Sequence, residues 1–287
     1  MILVVGGTGR LGSRVTDGLL GRGHRVRVLA RGRRPIPKEV ARADLVTGSV
    51  TDPAVLERAL VGVDVVVSAV TGFPFADPAR VDLAGNELLV RVAERVGAEV
   101  VLLSVAGAEP GSAMGLFRAK FEAEQCLHRS SVRGTVIRPD AFADLWIELL
   151  ATTARRSHRP LVFGRGAAPM GWVAVSDVAA LVVRVVDQAS LRGTVYTLCG
   201  RERISMTDLA ERLMEARGWP GSPRHVPVAA LRVAAVLPGR GGRQARAALD
   251  MEGLRPVVDD TRTRIPDLPE TPLAELIDGP PGAILQA

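Results

Sequence analysis

The 287-residue chain predicts an α/β protein with a doubly wound parallel sheet, on three observations. An apolar N-terminal run breaks into a glycine turn and then into a helix-compatible segment. Apolar strand-like runs then alternate with helix-compatible segments as far as about residue 140. Several of those runs are apolar at nearly every position, as strands covered on both faces must be.

Met1–Val5 is the first strand, Gly6–Gly12 the turn, and Ser13–Leu20 the first helix. His24–Arg31 alternates polar and apolar residues and reads as the second strand. Leu45–Asp52 is a short strand, and Asp52 followed by Pro53 supplies the preferred cap and first-turn residue for a helix over Pro53–Leu60. Val63–Val70 is a buried strand, Ala84–Val96 a helix, and Val100–Leu103 a strand that ends at Ser104. A helix over Phe117–Arg129 precedes a strand at Gly134–Ile137, which closes on Arg138 and Pro139. Beyond about residue 140 the rhythm loosens. A helix fits Ser176–Gln188, a strand Thr194–Cys199 and a helix Thr207–Arg217; from Gly218 onward Pro, Gly and Arg are frequent.

A strand, a glycine turn and a helix in that order form a cradle for a pyrophosphate. Gly6 permits the tight turn, Gly9 lets backbone approach the phosphates, and Gly12 lets helix and strand pack closely. Thr8, Arg10 and Leu11 stand in the same turn. The second strand then distinguishes between nicotinamide nucleotides. A site for NADH usually ends that strand with an acid that bonds the ribose 2′-hydroxyl, yet no acid occurs between Asp17 and Glu39. Arg31, Arg33 and Arg34 stand there instead, and a guanidinium suits a 2′-phosphate through its permanent charge and fork of donors. The expected cofactor is NADPH, with NADH less favoured, and Arg10 is a second candidate contact.

Composition narrows the remaining classes. Hydrophobic residues make up 47% of the chain but aromatics only 3%, so Val, Leu and Ala must fill the core. The net charge of +6 raises nucleic acid as a partner, but the arginines are dispersed and no basic run is interleaved with aromatics, which argues against it. Cys126 and Cys199 are too few and too far apart for a staple, and the four histidines show no ligand spacing, so no metal is expected. With neither a secretory signal nor an apolar run near the ~20 residues a bilayer requires, a soluble, cytoplasmic monomer or homodimer is expected, without membrane contact.

In doubly wound sheets ligands lie outside the carboxyl ends of the strands, near the switch point. That gathers Gly6–Gly12, Ala69–Gly72, Ser104–Gly107 and Pro139–Phe142 around one crevice, with Ser49 and Val50 beside the adenine. Aromatics are scarce, yet Phe73, Phe75, Phe117, Phe142, Trp146 and Trp172 fall in or near these loops. Such a lining suits a flat, apolar substrate, and ordinary core packing explains the same residues equally well.

Taken together, GGTGRLG, VRVLAR, GSVTDPAVLERALVGVDVVVSAV, VVLLSVAGA, TVIRPDAF, WVAVSDVAALV and GTVYTLCGRERISMTDLAERL resemble the atypical short-chain dehydrogenase/reductases, especially their NmrA-like branch, over residues 1–215. The resemblance implies a Rossmann-type NAD(P)-binding domain over residues 1–140, to which about 172–200 return. It implies a smaller, mainly substrate-binding or lid region over 141–287. Most reductases of this superfamily use Ser, Tyr and Lys, with Tyr and Lys spaced Y-x-x-x-K on one helix. Lys120 fits the lysine, but Leu116 stands where the tyrosine belongs, and the sole tyrosine, Tyr196, is far away in the pattern. Either Ser104 or Ala106 takes the place of the active serine.

Lys120 carries weight because only it and Lys38 are lysines among 37 basic residues. On a cofactor-facing helix it is expected to bond the nicotinamide ribose or to orient a water as proton source. Without tyrosine, a quinone or hydroxyaryl ketone eases the proton problem through its own neighbouring phenol. The expected activity is therefore a substrate-assisted, NADPH-dependent reduction of a carbonyl in a polycyclic aromatic, quinone-like or polyketide substrate. Antibiotic-tailoring ketoreductases of angucyclinone type are similar in this respect. The alternative is a non-catalytic, NADP-sensing regulator, which Leu116 favours. A sugar-nucleotide epimerase would need the tyrosine and an acid on the second strand.

Overall fold

The computed structural model describes residues 1–287 except 33–34, 74–75, 255–264, 266 and 280–287. Strands β1 (Ile2–Val5), β2 (Val26–Ala30), β3 (Asp44–Thr47), β4 (Val65–Ser68), β5 (Glu99–Leu103) and β6 (Gly134–Pro139) alternate with helices α1 (Arg10–Gly21), α2 (Pro53–Ala59), α3 (Ala84–Val96) and α4 (Gly115–Arg129). Beyond them come α5 (Ala143–Ala154), β7 (Leu161–Phe163), β8 (Pro169–Gly171), α6 (Val175–Asp187), β9 (Val195–Leu198) and β10 (Arg203–Ser205). The chain then runs through α7 (Met206–Ala216), β11 (Arg224–Val226), α8 (Val228–Ala235), α9 (Arg240–Met251) and α10 (Leu273–Asp278).

Seven strands form one sheet in the order β3-β2-β1-β4-β5-β6-β9, and every neighbouring pair is parallel. The order reverses between β1 and β4, which is the switch point where such sheets hold ligands. One face buries Val4, Val28, Val67 and Val101 against Val15 and Leu19 of α1 and Val178, Leu181 and Val182 of α6. The other face buries Leu3, Val66, Val100 and Leu102 against Leu56 of α2, Leu89 and Val92 of α3, and Ala123 and Leu127 of α4. Burial on both sides is why the strand sequences lack polar alternation. Gly18 matters here: a Cβ on it would stand 2.9 Å from Val183 Cγ2, so its absence lets α1 and α6 close together.

The first helix begins at Arg10 rather than at Ser13, because Gly9 already takes the N-cap position and its carbonyl accepts the Ser13 amide at 2.8 Å. Asp52 caps α2 as its sequence demands, accepting the Ala54 amide at 3.0 Å. Helix α5 is not legible in the sequence. Its buried residues Ala143, Ile147, Leu150 and Ala154 form a helical stripe. However, Leu145 and Leu149 lie on the exposed side and blur the period. A third core joins α5, α7 and α10 around Trp172, Leu209 and Leu213. Two small pairings, β10 with β8 and β11 with β7, complete that layer at the carboxyl end of the sheet. Helices α8 and α9 pack on one another through Leu231, Ala235 and Ala245.

Candidate nucleotide-binding and hydride-transfer site

Gly6 is at φ +82°, and a Cβ there would meet the Ala69 carbonyl oxygen at 2.9 Å. Two constraints, left-handed backbone and close approach to the end of β4, therefore select glycine. Gly12 is tighter still, since its Cβ would lie 2.3 Å from the Gly6 oxygen. No side chain caps α1 and no acid stands in its first turn. The amides of Arg10, Leu11 and Gly12 thus lack intrahelical acceptors, and the positive end of the helix opens on the switch point. An anion with several oxygens fits this cradle.

Beside it lies a cavity of about 250 Å³ lined by Thr8, Ala30, Gly32, Pro35, Ile36, Leu45 and Thr47. It sits at the carboxyl ends of β1, β2 and β3, on the adenosine side of the switch point. Arg31 is exposed between two lining residues. Arg33 and Arg34 lie outside the described residues. Ser49 and Val50 follow β3; Ser49 Oγ shares a hydrogen bond with Thr51 Oγ1, and Val50 is buried against Gly85 of α3. Arg10, the second candidate for the 2′-phosphate, instead forms an ion pair with Glu148 of α5.

Across the switch point, the ends of β4, β5 and β6 bring Val70, Ser104 and Pro139 together, with Lys120 rising from α4. The Lys120 side chain is buried. Its Nζ donates to the Val70 carbonyl at 2.8 Å and the Leu103 carbonyl at 2.9 Å, and it pairs with Asp82 Oδ1 at 3.1 Å. Two of the three ammonium N–H bonds are taken by these carbonyls, and Asp82 Oδ1 balances the charge as an ion pair without a hydrogen bond. The expected bond to a ribose hydroxyl or a water therefore meets a group already enclosed by protein. Leu116 is buried one turn earlier. Tyr196 lies in β9 and gives its hydroxyl to the Leu191 carbonyl at 2.7 Å, which leaves it outside the crevice. Ser104 is buried, and its Oγ has no hydrogen-bond partner. A buried hydroxyl without a partner costs about 1–3 kcal/mol, so it requires a ligand or another explanation.

The aromatic residues divide. Phe73 and Phe117 are half-buried at the loop after β4 and the start of α4. Phe75 lies outside the described residues. Phe142 packs against the sheet core near α6, and its backbone bridges to Val173. Trp146 and Trp172 belong to the third core; Trp172 is buried and its indole N–H donates to the Ile204 carbonyl at 3.0 Å. Packing against Leu209 and Leu213 claims Trp172, which corrects its placement on the substrate crevice. It instead borders a second cavity of about 300 Å³, with Arg201, Glu202 and Glu270.

Two residues at the site escape sequence reading, Asp82 and Glu148, while Asp140 falls in the predicted crevice segment without a predicted role. Asp140 follows Pro139 and accepts the amides of Ala141 at 2.8 Å and Gly171 at 2.9 Å. Burial pushes its carboxyl above the usual range, against those amides. Among the described residues no cluster of His, Cys, Asp or Glu is placed to hold a metal ion, and no helix is long and apolar enough to cross a membrane.

A seven-stranded parallel sheet with a glycine cradle at its switch point defines a Rossmann-type nucleotide-binding protein. The sequence profile of the NAD(P)H-binding family matches residues 6–189, and the chain belongs to that family. A (4-alkanoyl-5-oxo-2,5-dihydrofuran-3-yl)methyl phosphate reductase of Streptomyces griseus is 30% identical over 236 residues, covering 82% of this chain and 80% of its own. The NAD(P)H azoreductase of Xenophilus azovorans is 26% identical over 77% of this chain and 75% of its own. Among solved structures, an NADPH-dependent quinone oxidoreductase from Escherichia coli, complexed with NADPH, superposes with a TM-score of 0.76. It is 22% identical and covers 96% of this chain and 98% of its own. The family fixes the cofactor class as NAD(P)H.

Proposed function

We propose that this protein transfers a hydride from NADPH to a conjugated carbonyl acceptor of quinone or aryl-ketone type, including aromatic polyketides. At the coarser level the assignment is plain: it is an NAD(P)H-dependent oxidoreductase, in keeping with the reductases it resembles. The observation that carries the finer reading is the environment of the proton-donor position. Leu116 replaces a phenol there, and the Lys120 ammonium is enclosed by Val70, Leu103 and Asp82. An acceptor reduced in this crevice must carry the negative charge that develops on its own oxygen. Quinones and hydroxyaryl ketones do so by conjugation and by an internal hydrogen bond.

The bound dinucleotide supplies the hydride, and the protein contributes position and electrostatics. The α1 amides and Gly9 hold the pyrophosphate, while Thr8, Arg31, Ser49 and Val50 border the adenosine half. Ala69, Val70 and Pro139 flank the nicotinamide half. Phe73 and Phe117 border the acceptor, with Phe142 behind. The Ser104 hydroxyl, buried without a partner, donates a hydrogen bond to the acceptor oxygen.

The test follows NADPH fluorescence on binding, then NADPH oxidation against a panel of quinones and aryl ketones. Turnover with at least one panel member is expected. Ser104→Ala should slow it on the order of a hundred-fold, as for loss of one oxyanion donor, at unchanged NADPH affinity. Binding of NADPH with every acceptor left untouched would replace this reading with the NADP-sensing regulator that Leu116 also fits.

A further inference from the structure

Lys120 and Asp82 form a buried ion pair for which the reaction as described has no direct use. The two side chains are 4% and 0% exposed. Removing two opposite charges from water costs several kcal/mol per ion, and replacement by neutral groups is often tolerated. Such a pair is therefore poor evidence of stability in itself, and what it holds in place is the more informative question.

It holds the loop that follows β4. Asp82 lies in a π-helical turn, Ala79–Leu83, that enters α3. Such one-residue widenings break the helical register and occur frequently at functional sites. The widened turn leaves the Asp82 carbonyl to accept the Asn86 side-chain amide at 2.6 Å, and Asn86 in turn accepts the Ser68 hydroxyl at 2.6 Å. The Asp82 carboxylate takes the Gly72 amide on Oδ2 at 2.8 Å and faces Lys120 with Oδ1. Lys120 reaches on to the Val70 carbonyl. The segment from Ser68 to Gly72 is thus fastened at three points, with Lys120 also gripping the end of β5 through Leu103. A Cβ on Gly72 would meet Val81 Cβ of the π turn at 3.1 Å, so glycine lets the loop lie close against that turn. This segment lies across the switch point from the adenosine cavity, on the side the nicotinamide must occupy.

We propose that Asp82 is a positioning residue for the nicotinamide end: with Lys120 it fixes the Val70–Gly72 loop, and Lys120 acts through this loop instead of bonding the cofactor. The proposal rests on the NADPH reading above, and its test separates the two. Wild-type full-length protein, Asp82→Asn, Lys120→Gln and the double variant are titrated with NADPH and with 2′,5′-ADP, which carries only the adenosine half. Asparagine keeps an acceptor for Gly72 and a donor for glutamine, so the double variant restores a neutral, hydrogen-bonded pair.

Each single substitution is expected to weaken NADPH binding about ten-fold while changing 2′,5′-ADP less than about two-fold. The double variant should recover NADPH affinity to within about three-fold of wild type, the non-additivity of groups that act as one unit. A double variant no better than Lys120→Gln would mean that the lysine bonds the cofactor itself, and overturns the proposal. Loss of both ligands together would reduce the pair to a folding element, which overturns it equally. If a single variant does not fold, the double variant is read against wild type alone: NADPH affinity within about three-fold supports the proposal, and a loss of about ten-fold or more overturns it. Failure of wild-type protein to bind either ligand would strike the NADPH reading itself, before any variant is compared.

Discussion

At the scale of one residue, the choice between NADPH and NADH is proposed to rest on Arg31. It stands exposed between Ala30 and Gly32, both of which line the adenosine cavity, and no acid accompanies it at the end of β2. Arg31→Asp should weaken NADPH by ~1.5–3 kcal/mol, the value of a hydrogen bond to a charged group, and spare NADH. Parallel titrations with both coenzymes check this; an equal loss for both would place the 2′-phosphate elsewhere. Arg10 is by residue type a second candidate for that phosphate, but its guanidinium is turned toward Glu148. Residue type identifies both arginines as anion binders, and only the fold shows which anion Arg10 meets.

At the scale of an element, two of the three glycines of α1 do opposite things. Gly12 would place a Cβ 2.3 Å from a backbone oxygen, whereas Gly21 would meet nothing within 4 Å. Alanine gains about 0.8–1 kcal/mol over glycine inside a helix. At Gly21 that gain is unopposed, so Gly21→Ala should raise the unfolding midpoint slightly. At Gly12 the clash is with backbone that cannot swing aside, and overpacking costs typically ~1–3 kcal/mol, so the clash wins. Gly12→Ala should lower the midpoint and abolish NADPH binding, as differential scanning fluorimetry with and without NADPH would show. Helix α3 is legible to the residue, Ala84–Val96, because its apolar period is clean. The π turn before it is not. Nothing local in ARVDL distinguishes a widened turn from an ordinary one, and its geometry depends on Gly72 and Lys120, which lie outside that stretch of chain.

At the scale of the whole molecule, one carboxylate ties the α8–α9 hairpin to the loop that follows β7. Glu252, at the end of α9, accepts the Arg165 amide at 2.7 Å, the Gly166 amide at 3.1 Å and the Arg165 side chain at 2.7 Å. Burial raises its carboxyl pKa, but the bonds from Arg165 and Gly166 outweigh burial and hold it below the ordinary glutamate value. A depressed folded-state pKa means that this tether contributes fully above the ordinary value and fades as pH falls through the folded one. Hydrogen exchange of α8 and α9 should therefore quicken below about pH 4, relative to the sheet. Glu252→Gln should show the quick exchange already at neutral pH and little further change on acidification. Exchange in the hairpin that stays slow in the glutamine variant would remove Glu252 from this role.

The same molecule shows where sequence reasoning stops. Local pattern alone determined the parallel sheet, the capped α2, the glycine cradle and an arginine where an acid would select NADH. Periodicity, capping and backbone permissiveness are written within a few neighbouring residues. The tertiary structure decided that Lys120 is sheathed by Val70, Leu103 and Asp82, that Arg10 faces Glu148, and that Trp172 belongs to a core. A charge or an indole finds its partner through space, and that partner can lie on any element the fold brings near.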